Sequence, residues 1–232
     1  PPPHRWSSCL GRVLYWPADM PWPCDENGRP LFGLLQLNLA ELPAAPTLPA
    51  YGLIQVFITD DPFWGAHPLS PSQQDNFRLI YHPTTTPEAD ELLDDFSFLP
   101  QFEHLPLQQD LALHITGTAG QMPMPPEDHR FPTHFGELLQ ALGDQRWEVL
   151  NQYRRGIGAN GHRLGGYPGF LQDDPRPADE NWELLLQLDS APQYGLLWGD
   201  YGLAHWFYRP TGTRSVEPTA ALREIWYGWE SA

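Results

Sequence analysis

Apolar and polar positions alternate along this chain in short blocks, not in helical stripes. Residues 32–39 and 182–188 are apolar runs bounded by Pro, Asn or Asp, and residues 53–59 and 203–209 are rich in β-branched and aromatic side chains. Their length and flanks predict strands. Residues 77–81 and 222–229 read as one further strand each. The blocks come in two matching sets. Leu34-Leu35-Gln36-Leu37-Asn38 returns as Leu185-Leu186-Gln187-Leu188-Asp189, and Tyr51-Gly52-Leu53 returns as Tyr201-Gly202-Leu203. Leu10-Gly11 upstream is answered by Leu164-Gly165, and Leu79-Ile80-Tyr81 downstream by Ile225-Trp226-Tyr227. Four anchors in the same order predict an internally duplicated chain. The Tyr-Gly before each third-block strand predicts a tight turn with glycine at positive φ.

The expected fold is mainly β with a few short helices, a β-rich α+β protein of two pseudo-symmetric halves packed as one unit. One domain spans 1–232, with one half at about 8–82, a connecting region at 83–161 and a second half at 162–230. A half with one apolar face cannot bury that face alone, so its sister is the expected cover. Within the connecting region, 105–116 alternates enough for another strand. Residues 135–142 and 145–155 read as helices, with Asp144 as the second N-cap, Arg154 and Arg155 near its C-terminus and Gly156 as its stop. The acidic, proline-punctuated stretch 84–103 predicts a loop or weak helix.

Composition sharpens this picture. There are 27 prolines in 232 residues, which fits short elements joined by stiff loops and disfavours a helical bundle. The 13 basic residues stand against 29 acidic ones, for a formal charge of −16, and every basic residue is Arg. Without Lys there can be no lysine Schiff base and no P-loop lysine. The negative surface repels phosphate backbones, which excludes nucleic acid as an expected partner, and it permits a basic protein partner. No apolar run is long enough for a membrane span. Two cysteines, Cys9 and Cys24, fit a reducing compartment and a cytoplasmic protein, with a single bridge between them left open.

Candidate chemistry concentrates in the second half. His162, Arg163, Asp173, Asp174, Arg176, Asp189 and Asp200 form the densest polar cluster. As a site it would be an acid/base constellation, with His162, Asp189 and Asp200 as catalytic candidates. As structure it would be a set of turns, with Arg–Asp pairs tying loops down. Gln36 with Asn38, and Gln187 with Asp189, put polar pairs on one strand face inside apolar runs. They serve either a ligand or the backbone where the halves meet. Arg163, Arg176 and Trp198 complete the ligand-binding candidates. The histidines and cysteines show no metal-ligand spacing, and no cofactor is implied. The chain lacks G-x-S-x-G, P-loop and G-x-G-x-x-G motifs.

The chain resembles the YwqG-like proteins, an uncharacterised family of bacterial origin. The resemblance rests on Trp22-Pro23, Pro30-Leu31 through Gln36-Leu37-Asn38, Glu41-Leu42-Pro43 and Leu48-Pro49 through Phe57-Ile58. In the second half it rests on residues 162–168, Gln172 with Asp174-Pro175-Arg176, Trp182 through Ser190, and Trp198-Gly199-Asp200. It implies a β-rich, internally duplicated fold and carries no assigned activity. The function expected first is a binding or interaction module with an acidic surface, of which an inhibitor or immunity-like protein is one concrete form. A hydrolase using His162 with Asp189 or Asp200 comes second. A carbohydrate-binding β domain using the C-terminal tryptophans comes third.

Overall fold

Two antiparallel sheets carry the strands in a computed structural model that describes residues 1–45, 48–86, 91–158, 160–210 and 222–231. The first sheet is built from β1 (Cys9–Leu10), β2 (Phe32–Asn38), β3 (Leu53–Ile58), β4 (Phe77–His82) and β5 (Leu113–His114), in the order β4-β3-β2-β1-β5. The second holds β6 (Arg163–Leu164), β7 (Glu183–Asp189), β8 (Leu203–Tyr208) and β9 (Ile225–Glu230), in the order β6-β7-β8-β9. Between them in the chain come α1 (Phe131–Ala141) and α2 (Arg146–Gly156), joined by a 3-10 turn at Gly143–Gln145. No described helix is long and apolar enough to cross a membrane.

The registers of the two sheets correspond position by position. Cys9 faces Gln36 and Leu10 faces Leu35; Arg163 faces Gln187 and Leu164 faces Leu186. Gln36 faces Gln55, and Gln187 faces His205. Each central pair carries an irregularity at the same place, between Gly33 and Leu35 and between Leu184 and Leu186. After the first strand of each sheet, the Gly11 N–H donates to the Leu34 carbonyl at 2.7 Å and the Gly165 N–H to the Leu185 carbonyl at 2.9 Å.

The sheets pack face to face. Leu35, Leu37, Ile54, Val56 and Phe77 from the first share one core with Leu186, Leu188, Trp206, Ile225 and Tyr227 from the second. Each outer face is covered by its own crossing loop. Val13, Trp16 and Leu31 lie over Phe57, and Phe170 and Trp182 lie over Leu184 and Phe207. β3 and β8 are therefore buried along their full length. This explains why their sequences are continuous apolar runs instead of alternating ones.

Three local expectations are corrected. Of 105–116 only Leu113–His114 pairs as strand; Leu105, Leu107 and Leu111 instead plug the inter-sheet core from a loop. The first helix starts at Phe131, with Pro at its N-terminus, and Asp144 sits in the 3-10 turn with Gln145 at the N-cap of α2. The second Tyr-Gly turn differs from the first. Gly52 has φ +99, but in the second half it is Tyr201 that takes the positive φ, 55. Gly202 is needed for space, because a Cβ there would stand 1.8 Å from the Glu230 carbonyl oxygen. Residues 87–90 of the acidic stretch lie outside the described residues.

Candidate functional site

Gln36 and Gln187 are fully buried on their strands. Both point outward, under the crossing loops, and not into the space where the sheets meet. The Gln36 Oε1 accepts from the Tyr15 N–H at 3.0 Å, and its Nε2 donates to the Arg5 and Ser7 carbonyls at 2.9 Å each. The Gln187 Oε1 accepts from the Gly169 N–H at 2.8 Å, and its Nε2 donates to the Gly161 carbonyl at 2.9 Å. Each glutamine thus satisfies main-chain groups of a covering segment that no ladder can reach. A carboxamide suits this role because it offers donors and an acceptor without charge.

The strand-end pairs continue the correspondence. The Asn38 N–H donates to the Ser8 Oγ at 2.9 Å, while the Asp189 N–H donates to the His162 Nδ1 at 3.2 Å. His162 and Asp189 therefore meet through the main chain. The Asp189 carboxylate turns to the Gly161 N–H at 2.6 Å. Crowding by protein atoms lowers the pKa of the otherwise exposed His162 imidazole, and the nearby Asp189 charge partly opposes this. Arg163 donates to the Tyr167 carbonyl at 3.1 Å and the Asn160 carbonyl at 2.5 Å. Burial depresses its pKa, with Asp189 again opposing. Asp200 is exposed in the β7–β8 turn and makes no hydrogen bond or ion pair with His162.

Arg176 belongs to a different cluster, with Asp174, which the sequence also offered, and with Asp128 and Arg130, which it did not. Its side chain is fully buried between Asp128, also fully buried, and Asp174. It donates to the Asp128 Oδ2 at 2.9 Å, to the Asp174 Oδ1 and Oδ2 at 2.9 and 2.7 Å, and to the Trp182 carbonyl at 2.8 Å. The guanidinium lies over the Phe207 ring at 5.1 Å. Arg130 closes on Asp128 from the other side at 2.7 Å, and the His129 Nδ1 stands 2.9 Å from the Asp174 Oδ2. Burial alone would raise the Asp128 carboxyl, but the bonds from Arg130 and the charge of Arg176 outweigh it and hold the group well below the usual carboxylate range. Asp174 is lowered in the same way: burial opposes, and Arg176 prevails.

Asp128, His129 and Asp174 offer ligand atoms within 4.8 Å of one another. A divalent cation would have to share those carboxylates with two guanidinium groups that already occupy them. The donor set fits a neutralised ion-pair network better than a metal centre. Its physical effect is to join the 122–130 loop to the segment that covers the second sheet. Sequence offered Asp174 with Arg176, two residues apart, but gave no sign of the partner 48 positions away.

Trp198 is fully buried, as are Trp206 and Tyr227. They form a stack across the seam between the sheets. Trp64 meets Trp198 at 5.3 Å, Trp198 meets Trp206 at 6.0 Å, Trp206 meets Tyr227 at 4.7 Å, and Tyr227 meets Phe77 at 5.1 Å. Trp198, Trp206 and Tyr227 are core, while the half-buried Trp64 lines an open pocket with Leu105, Leu107 and Leu197. The Trp198 and Trp206 Nε1 atoms and the Tyr227 hydroxyl have no hydrogen-bond partner among the described residues.

The fold and the buried polar framework define a β-rich protein with its conspicuous polar side chains turned to structural work. The chain belongs to the family described as Domain of unknown function (DUF1963), which it matches over residues 8–215. No curated protein matches it.

Proposed function

We propose that this chain is a binding module whose acidic surface takes a basic protein partner, in the manner of an inhibitor or immunity protein. The supporting observation is how its charges are distributed. The positive charge is largely committed internally: Arg5, Arg12, Arg29, Arg130, Arg154, Arg176 and Arg209 are all in ion pairs with the chain's own carboxylates. Against this the chain carries 29 acidic residues to 13 basic, and Asp19, Glu26, Glu137, Asp144, Glu148, Asp173 and Asp200 are exposed and outside any ion pair among the described residues. Such a surface steers cationic partners and is screened by salt.

The hydrolase built on His162, Asp189 and Asp200 is the weaker reading, because the imidazole nitrogen that a carboxylate would orient is occupied by a main-chain N–H. Free Cys9 and Cys24 suit a reducing, cytoplasmic setting. We read the matching registers of the two sheets as the trace of a duplicated ancestral half.

Affinity capture from a native lysate at low ionic strength, with bound proteins identified and their affinities measured at rising salt, tests the proposal. Basic partners whose binding weakens steeply with salt are expected. Neutral or acidic partners, or binding indifferent to salt, would overturn it.

A further inference from the structure

The helical segment 131–156 has no counterpart in either sheet, and it is poorly buried for its composition. In α1 only Phe131 is buried, and in α2 only Leu150. Those two, with Met124 and the flanking Phe135, Leu139, Tyr153 and Tyr167, make a small core that anchors the pair. What remains outside includes large apolar side chains. Leu138, in the last turn of α1, is 61% exposed; Trp147, in the first turn of α2, is 59% exposed; and Val149 is 41% exposed. Exposed apolar side chains of this size are costly in water, and a tryptophan with aliphatics is the composition of an interface anchor.

Carboxylates outnumber cations around the tip, where Arg146 is the one guanidinium. Glu137, Asp144 and Glu148 are exposed there, and none is in an ion pair among the described residues. Arg146 lies over the Trp147 ring at 5.0 Å and rigidifies it. An apolar centre with a carboxylate rim complements a cationic amphipathic surface. It disfavours a second copy of this chain, which would bring like rims together between two bodies of charge −16. It equally disfavours an anionic lipid surface.

We infer that the tip formed by the end of α1, the Gly143–Gln145 turn and the start of α2 is the docking surface for the basic partner, with Leu138 and Trp147 entering an apolar stripe and Glu137, Asp144 and Glu148 meeting Lys or Arg around it. This inference rests on the reading of the protein as a module for basic partners and assigns that reading a place.

The test uses the full chain and a fluorescently labelled synthetic amphipathic helix with leucines at helical spacing and lysines elsewhere. A second peptide replaces every lysine by glutamate. The lysine peptide is expected to bind, and to bind at least about tenfold more weakly to Trp147→Ala or Leu138→Ser. Asp144→Asn combined with Glu148→Gln is expected to flatten the salt dependence. Circular dichroism melts of these variants should superimpose on the parent, since each side chain is exposed, and Tyr201→Ala, exposed on another part of the fold, should bind as the parent does. Equal binding of the glutamate peptide overturns the inference. Salt-sensitive binding of the lysine peptide that survives Trp147→Ala and Leu138→Ser also overturns it, while leaving the acidic-surface reading standing. Failure of the lysine peptide to bind at low salt overturns both. A dimer in sedimentation equilibrium that Trp147→Ala dissolves would assign the tip to a second copy instead.

Discussion

His205 stands in the second sheet where Gln55 stands in the first. Gln55 Nε2 donates to the Tyr15 carbonyl at 2.6 Å and to the Gln36 Oε1 at 3.1 Å. The His205 Nε2 lies 2.8 Å from the Gly169 carbonyl and 3.2 Å from the Gln187 Oε1. Both partners of that nitrogen are acceptors, so it carries the hydrogen. Two different side chains thus fill one structural role. Each holds the loop that crosses the outer face of its sheet and braces the neighbouring glutamine.

The substitution makes the second half sensitive to acid. Burial lowers the pKa of His205 from 6.5 to about 4, and that of His82, which bonds the Gln55 Oε1 at 2.9 Å, to about 4 as well. A folded-state pKa below the unfolded one means that the unfolded chain takes up the proton first. The stability from keeping these rings neutral is complete above pH 6.5 and is lost as pH falls from there to 4. At full loss it amounts to about 3 kcal/mol per ring. Urea midpoints should therefore drop between pH 6.5 and 4. His205→Gln, which installs the first sheet's solution, should keep the fold and remove about half of that drop. An unchanged slope in this variant would show that His205 is not the group responsible.

Removing Arg176 should be among the most damaging single changes. Arg176→Met leaves the buried Asp128 and Asp174 carboxylates without their shared counter-charge, and about 3–5 kcal/mol of stability should go with it in chemical denaturation. Adding Asp128→Asn to that background should restore part of the loss, because the uncompensated buried charge is then gone. Simple additivity of the two losses would contradict the network.

Tyr227→Phe should stabilise the protein. Its hydroxyl is buried without a partner, and burial pushes its pKa well above 10, with the charge of Asp61 adding to the effect. Deleting one oxygen removes an unmet desolvation cost while the ring keeps its stack on Trp206, so a gain of about 1 kcal/mol is expected in thermal or urea unfolding. A loss of that size would mean that the hydroxyl is hydrogen-bonded in solution.

The two thiols should react very differently. Cys9 lies in β1, buried, and burial pushes its thiol up to about 11; Cys24 is partly exposed, and both are free. Ellman's reagent should titrate one thiol per native chain and two after denaturation. A second fast thiol in the native protein would place β1 outside the first sheet.

Much of this architecture was legible because strand cores are written locally. The runs at 32–39, 53–59, 182–188 and 203–209 each became a strand with nearly the expected bounds, since nothing else accommodates short apolar blocks between Pro and Asp. The faces were not legible. With both sides of β2 and β7 covered, the apolar runs carry no alternation, and Gln36 and Gln187 could not be assigned inward or outward from sequence. The strand expected at 105–116 was too long, holding only at Leu113–His114, because Leu105, Leu107 and Leu111 are apolar while plugging the core from a loop, so burial produced a strand-like pattern without a ladder. Arg176 was visible through its neighbour Asp174, yet Asp128 lies in another loop and only folding reveals it.

The two ladders are also separate hydrogen-bonded units. Among the described residues no strand of one sheet pairs with a strand of the other, and β2-β3-β4 and β7-β8-β9 each join neighbours in the chain. Such pairing closes short loops and costs little chain entropy, whereas bringing Phe77 onto Tyr227 closes most of the polypeptide at once. Docking of the two sheets is therefore expected to be the slow event of folding. Truncating Trp206 should retard refolding more than truncating Phe57 or Phe207, whose contacts lie within their own halves.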